Sequence, residues 1–110
     1  GGRWIHVDVA DGSTVADGAF ASMGPATVAA VRAAAPSAFI DVHMALAHPT
    51  QYVAEFAAAG ADRLTFQFEA VLHSQAGRLD PCSDEAATAS LDVASAIRAS
   101  GCAAGVCIAP

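Results

Sequence analysis

The chain has 110 residues, 55% of them hydrophobic, and a formal net charge of −6 with five arginines and no lysine. Nucleic acids and acidic membranes are bound through clustered positive charge, so the scattered arginines exclude both as expected partners. No apolar run approaches the roughly 20 residues of a membrane helix and no secretory signal is visible, so we expect a cytoplasmic protein.

The length allows one domain at most. Residues 1–110 open on Gly-Gly-Arg without a methionine and end just after a strand pattern, so we expect one partial domain from a longer chain. The three cysteines are odd in number and form no C-x-x-C pair. This pattern predicts reduced thiols rather than a disulfide framework or a zinc ribbon.

The first half of the chain predicts two strand–helix units. Residues 4–10 alternate with a period of two, and the polar face of this strand carries His6 and Asp8. A glycine-rich loop follows, and then Pro25 opens an alanine-rich helix. The next strand, "AFIDVHMALA", carries His43 on its polar face, and Pro49 opens the second helix.

The second half continues the same alternation. The segment "DRLTFQFEA" predicts a third strand, with Thr65, Gln67 and Glu69 on its polar face. Beyond a polar loop, Ser83 is a typical N-cap for a third helix that ends at Gly101, and "AAGVCIA" predicts a fourth strand.

The order β-α-β-α-β-α-β predicts a parallel sheet with right-handed crossovers. An open doubly wound sheet and a TIM (β/α)8 barrel both satisfy this order. Central strands of an open sheet are apolar on both faces, whereas each of the first three strands here has one polar face. Polar side chains at the carboxyl ends of barrel strands build barrel active sites, so the pattern favours roughly half of a barrel.

Three ionisable residues share the polar faces of the first two strands: His6, Asp8 and His43. Two imidazoles and a carboxylate suit Zn²⁺, Fe²⁺ or Mn²⁺ better than Mg²⁺ or Ca²⁺, which prefer oxygen ligands. The pattern alone leaves two interpretations open, a metal site or hydrogen-bonded polar residues of a barrel interior.

The motifs "WIHVDVADG", "DVHMAL", "HPTQYVAEFAAAGAD", "LTFQFEA" and "GCAAGVCIAP" resemble the ribulose-phosphate 3-epimerase family in order and spacing. The resemblance covers nearly the whole chain and corresponds to the second to fifth strands of that family's barrel. It implies an isomerase of carbohydrate metabolism, in the pentose phosphate pathway. Such an enzyme interconverts ribulose 5-phosphate and xylulose 5-phosphate by moving the proton next to the ketone.

The resemblance also implies roles for particular residues. His6, Asp8 and His43 would be three of four ligands to a divalent metal ion, with Zn²⁺, Fe²⁺ or Mn²⁺ favoured over Mg²⁺. Asp8 would double as one of two acid/base carboxylates, whereas the competing Asp11 is interpreted as a turn residue. The second carboxylate and the phosphate site would come from other segments, and the full-length protein would be a homo-oligomer.

Four positions depart from the family pattern. Ala10 and Ala45 replace methionines that would cover the substrate, and together with His43 they are the predicted substrate contacts. Gln67 replaces a histidine, and Ala109 replaces an asparagine or lysine. The two alanines imply a roomier pocket, so the alternatives are an epimerase-like barrel that binds metal or a ketose without turnover, and an epimerase with a bulkier ketose substrate.

Overall fold

The computed structural model describes residues 3–10, 24–74 and 77–108. Asp11, the predicted glycine-rich loop up to residue 23 and Ala109 lie outside these ranges. The elements are, in chain order, β1 (Trp4–Ala10), α1 (Pro25–Ala34), β2 (Phe39–Ala45), a 3₁₀ turn (Pro49–Gln51), α2 (Val53–Ala59), β3 (Arg63–Gln67), α3 (Phe68–Val71), β4 (His73–Ser74), β5 (Gly77–Arg78), α4 (Asp84–Ala99) and β6 (Ala103–Cys107).

The main sheet has four parallel strands in the order β1-β2-β3-β6. Each of β1, β2 and β3 is followed by a helical connection on the way to its neighbour, which confirms the predicted parallel β/α units. The first strand pair is in register over its whole length, so that His6 lies opposite Asp41 and Asp8 lies opposite His43.

One face of the sheet packs beneath the helices and forms the core. Because strand side chains alternate, the odd-numbered positions of β1 and the even-numbered positions of β2 and β3 point to this face. The buried core residues include Val7, Val9, Ile40, Val42, Met44, Leu64 and Phe66 from the sheet and Val28, Val53, Phe56, Val71, Val93 and Ile97 from the helices. The opposite face carries the polar side chains and stays open. We refer to these two surfaces as the core face and the open face.

The helix boundaries follow local rules that the sequence displays. Pro25 occupies the first turn of α1, where its missing N–H costs no hydrogen bond. The Ser83 hydroxyl accepts a hydrogen bond from the Ala86 N–H at 3.1 Å and caps α4. Gly60 ends α2 with a φ of 114°, in the left-handed region that glycine adopts without strain. These caps confirm the predicted ends.

Three local predictions are wrong. The second helix does not begin at Pro49, because a 3₁₀ turn precedes α2. The third strand ends at Gln67, opposite the last residue of β6, and the chain then turns into α3, so Glu69 is not on a strand face. The predicted polar loop contains the small antiparallel hairpin β4–β5. Each error concerns four residues or fewer, too short for a reliable period in the sequence.

Arg32 ties the helices to the amino ends of the strands. Its guanidinium donates to the carbonyl oxygens of Ala38 at 2.7 Å and of Gly60 at 2.7 and 3.1 Å, and to Asp62 Oδ2 at 2.5 Å. The same Asp62 oxygen accepts a hydrogen bond from the Ile40 N–H at 2.8 Å. This arginine–carboxylate pair therefore holds α1, β2 and the start of β3 together.

Cys82, Cys102 and Cys107 are free thiols. In the described part of the chain, no helix has the length and apolar character needed to cross a membrane.

Candidate metal and active site

The three predicted ligands lie together on the open face. His6 and Asp8 are two residues apart on β1, which places both on the same face, and His43 lies opposite Asp8 on β2. The three side chains therefore form one cluster on the face opposite the apolar core.

The distances within this cluster are short. Asp8 Oδ1 lies 2.9 Å from His6 Nε2 and 3.2 Å from His43 Nδ1. One potential ligand atom from each residue lies within 4.8 Å of those of the other two. Two imidazole nitrogens and a carboxylate oxygen are the donors that Zn²⁺, Fe²⁺ and Mn²⁺ accept, so the residues fit a divalent metal ion.

Hydrogen bonding shifts the ionisation of the cluster. The hydrogen bond with His6 lowers the pKa of Asp8 below its ordinary value, and the bond with His43 acts in the same direction. The hydrogen bond with Asp8 raises the pKa of His6 against the opposing effect of burial, and Asp41 adds to the rise. Asp8 is consequently ionised at neutral pH, the state that a metal ligand or a proton acceptor needs.

Asp41 is a further residue of the site, and its role was not predicted from the sequence. It is 8% exposed, and no other polar or charged residue among those described is buried as deeply. Its Oδ2 lies 3.1 Å from His6 Nδ1, and Arg63 donates to both carboxylate oxygens at 3.1 Å. The Thr65 hydroxyl donates to Oδ1 at 3.3 Å. Burial alone would raise the pKa of Asp41, but the hydrogen bonds from Arg63 and His6 outweigh it and the pKa is lowered.

The alternation along β2 contained a signal for Asp41, since it shares the polar face with His43. Its partners depend on lateral register, which places Asp41 between His6 on β1 and Arg63 on β3. Arg63 is held in turn by aromatic rings, with its guanidinium carbon 5.2 Å from the centre of Trp4 and 5.8 Å from that of Phe39.

The predicted substrate contacts lie next to the cluster. Ala10 and Ala45 are register partners, two residues beyond Asp8 and His43 toward the carboxyl ends of the strands. Both are half-buried and neither carries an atom beyond Cβ, so the open face is shallow there. Gln67 approaches the second nitrogen of His43, with 3.4 Å between the two Nε2 atoms.

Parallel β/α units with ionisable side chains on one face of adjacent strands define part of a TIM barrel, a fold whose active sites lie at the carboxyl ends of the strands. A sequence model of the ribulose-phosphate 3-epimerase family matches residues 1–110, and the chain belongs to this family.

Individual relatives agree with the family assignment. The chain is 36% identical over 85 residues to ribulose-phosphate 3-epimerase of Candida glabrata, a match that covers 64% of this chain and 33% of the relative. It is 41% identical over 69 residues to the Synechocystis enzyme of the same name, covering 63% of this chain and 28% of the relative. It is also 41% identical over 73 residues to the Rhodobacter capsulatus enzyme of that name, a match that covers 66% of this chain and 30% of the relative. The chain thus matches about a third of the length of these curated relatives.

The family and the names of its members confirm the predicted resemblance and the partial-barrel fold class. They support an epimerase function. The roles of His6, Asp8, His43, Ala10 and Ala45 remain predictions.

Proposed function

We propose that the protein containing this chain is a metal-dependent epimerase that interconverts ribulose 5-phosphate and xylulose 5-phosphate. The observation that carries the proposal is the cluster of His6, Asp8 and His43, whose potential ligand atoms lie within 4.8 Å of one another. The name that the relatives share supports the reaction. In this proposal residues 1–110 contribute part of one barrel domain, and the complete site belongs to the full-length protein.

His6 Nε2, a carboxylate oxygen of Asp8 and a ring nitrogen of His43 would hold the metal ion, with Zn²⁺, Fe²⁺ or Mn²⁺ favoured by the donor set. When bound, such a cation stabilises the negative charge that develops on the ketone oxygen as the neighbouring proton leaves.

Asp8 is the proposed acid/base residue. Its carboxylate lies between His6 and His43 on the polar face of the sheet, where an oxygen can approach a substrate carbon. The lowered pKa keeps the carboxylate ready to accept the proton next to the ketone. Inversion also needs a proton donor on the opposite side of the planar intermediate, and the family resemblance assigns it to another segment of the full-length protein.

The substrate would lie across His43, Ala10 and Ala45. This assignment is supported by the register, in which the two alanines pair with each other and form a small apolar surface next to Asp8 and His43. We further propose that the protein acts in the pentose phosphate pathway and is located in the cytoplasm. A phosphorylated ketose is the proposed ligand, nucleic acid and membrane partners are not expected, and the full-length protein is treated as a homo-oligomer.

A second candidate rests on the same two alanines. Because neither Ala10 nor Ala45 covers the cluster, the site admits a bulkier ketose, or it binds metal and a ketose phosphate without turnover. Competing pentose and hexose ketose phosphates against each other in one assay distinguishes an altered substrate from the proposed one.

The test uses the full-length protein, stripped with a chelator and reloaded separately with Zn²⁺, Mn²⁺ or Fe²⁺. We expect metal uptake to restore epimerisation of ribulose 5-phosphate. Asp8→Asn should lower the turnover number by about 10²- to 10⁴-fold, the usual range for loss of an acid/base group. The matched control is Asp92→Asn, which changes an exposed aspartate on α4 and should leave turnover unchanged.

Metal uptake without turnover on any ketose phosphate would support the binding-only candidate. Full turnover in the stripped protein, or in Asp8→Asn, would contradict the proposed mechanism.

A further inference from the structure

The two histidines of the cluster differ in what holds their second ring nitrogen. His43 Nε2 faces the neutral amide of Gln67 at 3.4 Å. His6 Nδ1 faces the buried carboxylate of Asp41 at 3.1 Å, while its Nε2 points to Asp8. The second nitrogen of His6 therefore has a charged partner, whereas that of His43 has a neutral partner at a longer distance.

Besides His6, two residues of β3 form hydrogen bonds with the Asp41 carboxylate. Two bonds from Arg63 orient both of its oxygens, and the Thr65 hydroxyl bonds to one of them. Arg63 is packed on the other side by the rings of Trp4 and Phe39, which lie 4.3 Å apart at their centres. A carboxylate with this many partners has little freedom to rotate away from His6.

The neighbouring strand leaves room for this arrangement. A Cβ atom added at Gly105 on β6 would lie 2.7 Å from the Thr65 hydroxyl oxygen, closer than real Cβ contacts. The absence of a side chain at Gly105 thus allows Thr65 to adopt the rotamer that reaches Asp41. Four strands contribute to the position of one imidazole.

We infer that Asp41, oriented by Arg63 and Thr65, is the positioning residue of His6: it accepts the Nδ1 proton and leaves the Nε2 lone pair directed at the metal-binding cluster. The inference rests on the proposed function. A neutral imidazole carries one N–H and one lone pair, so an acceptor fixed at Nδ1 selects the tautomer that can ligate through Nε2. Carboxylate partners of ligating histidines act in this way and orient the ring as well.

The test compares three variants of the full-length protein with wild type. Asp41→Asn keeps the size of the side chain but offers an amide in place of the second carboxylate oxygen. Arg63→Gln leaves the carboxylate and removes the group that orients it. The control, Asp62→Asn, alters the other arginine-bound aspartate, which pairs with Arg32 at the amino ends of the strands and does not touch the cluster.

The first measurement is the dissociation constant for Co²⁺, obtained by competition with a chelator, together with the visible absorption spectrum of the bound ion. We expect Asp41→Asn to weaken Co²⁺ binding about 10- to 100-fold, the range found for partners of metal ligands. Arg63→Gln should show a smaller loss in the same direction, and this loss tests the inference by itself if Asp41→Asn does not fold. Asp62→Asn should lower stability yet keep the wild-type affinity and spectrum.

The second measurement is the ¹⁵N NMR spectrum of the imidazoles in the Zn²⁺-loaded protein. We expect the proton of His6 on Nδ1 and the metal on Nε2 in wild type and in Asp62→Asn. Wild-type affinity in both Asp41→Asn and Arg63→Gln, or metal bound to His6 through Nδ1, would overturn the inference. Failure of the wild-type protein to take up metal would be a different result, because it would overturn the proposed function and this inference with it.

Discussion

The two faces of the sheet contrast in what holds them together. The core face is held by apolar side chains from the strands and from α1, α2 and α4, many of them without any exposed surface. The open face is held by ion pairs and hydrogen bonds among His6, Asp8, Asp41, His43 and Arg63. Substitutions on the core face should therefore change stability, whereas those on the open face should change metal binding and chemistry.

Adjacent residues of β3 provide the strongest test of this contrast. Phe66 is 1% exposed on the core face, and Thr65 lies beside it on the open face. We expect Phe66→Ala to lower the free energy of unfolding by about 3–5 kcal/mol, because it leaves a cavity in a packed core. Thr65→Val should cost about 0.5–1.5 kcal/mol, the net contribution of one hydrogen bond. Urea unfolding measures both, and equal losses would contradict the division between the faces.

The next largest effect is expected at the glycines that end helices. Gly60 and Gly101 both have positive φ, but a Cβ atom at Gly60 would lie 2.8 Å from Arg32 Cγ, while nothing lies within 4 Å at Gly101. Gly101→Ala should cost about 1–2 kcal/mol from the left-handed conformation alone. Gly60→Ala should cost more, since Arg32 must also move. Thermal unfolding of the two variants separates conformational strain from steric conflict, and neither variant should alter metal affinity.

A smaller effect is expected for the cap of α4. Ser83→Ala removes the hydroxyl that accepts the Ala86 N–H and should cost about 1 kcal/mol. Ser83→Asp restores an acceptor at the same position and should recover most of the loss. A full loss in Ser83→Asp would show that the serine acts through the hydrogen bond that its hydroxyl donates to the Asp80 carbonyl oxygen, at 2.6 Å, rather than through the cap.

The smallest effect is a pH dependence that arises on the open face. In the metal-free protein, the hydrogen bond to Asp8 raises the pKa of His6, so the stabilisation is complete below the unfolded pKa of about 6.5 and is lost as the pH rises through the higher folded pKa. The imidazole is 53% exposed, so solvent screens the interaction and the change is small.

Urea midpoints of wild type and His6→Gln at about pH 6 and about pH 9 measure this contribution. We expect the advantage of wild type over the variant to shrink at the higher pH. An advantage that grows with pH would contradict the assigned direction.

The candidate site shows how far the sequence alone can lead. Alternation within β1 and β2 placed His6, Asp8 and His43 on polar faces, because the period of two is a local property of each strand. The role of Asp41 was not predicted although the same alternation included it. Its partners are 35 and 22 positions away along the chain, and only strand register brings them within hydrogen-bond distance.

Some features of the fold could likewise be predicted from the sequence, and others could not. The β/α order, the parallel sheet and the helix ends at Gly60 and Ser83 followed from periodicity and capping residues. The early end of β3 at Gln67 did not, because the neighbouring strand β6 ends opposite that residue and the pairing stops there. The length of a strand therefore depends on the strand it pairs with as well as on its own sequence.

The sequence by itself determined that the strands have one apolar and one polar face, because apolar and polar residues alternate along each strand. It also determined that β/α units repeat, because helix caps and strand patterns are local. Only the tertiary structure decided which carboxylate serves which histidine. Register between strands fixes that choice, and register depends on how all four strands pack against one common core.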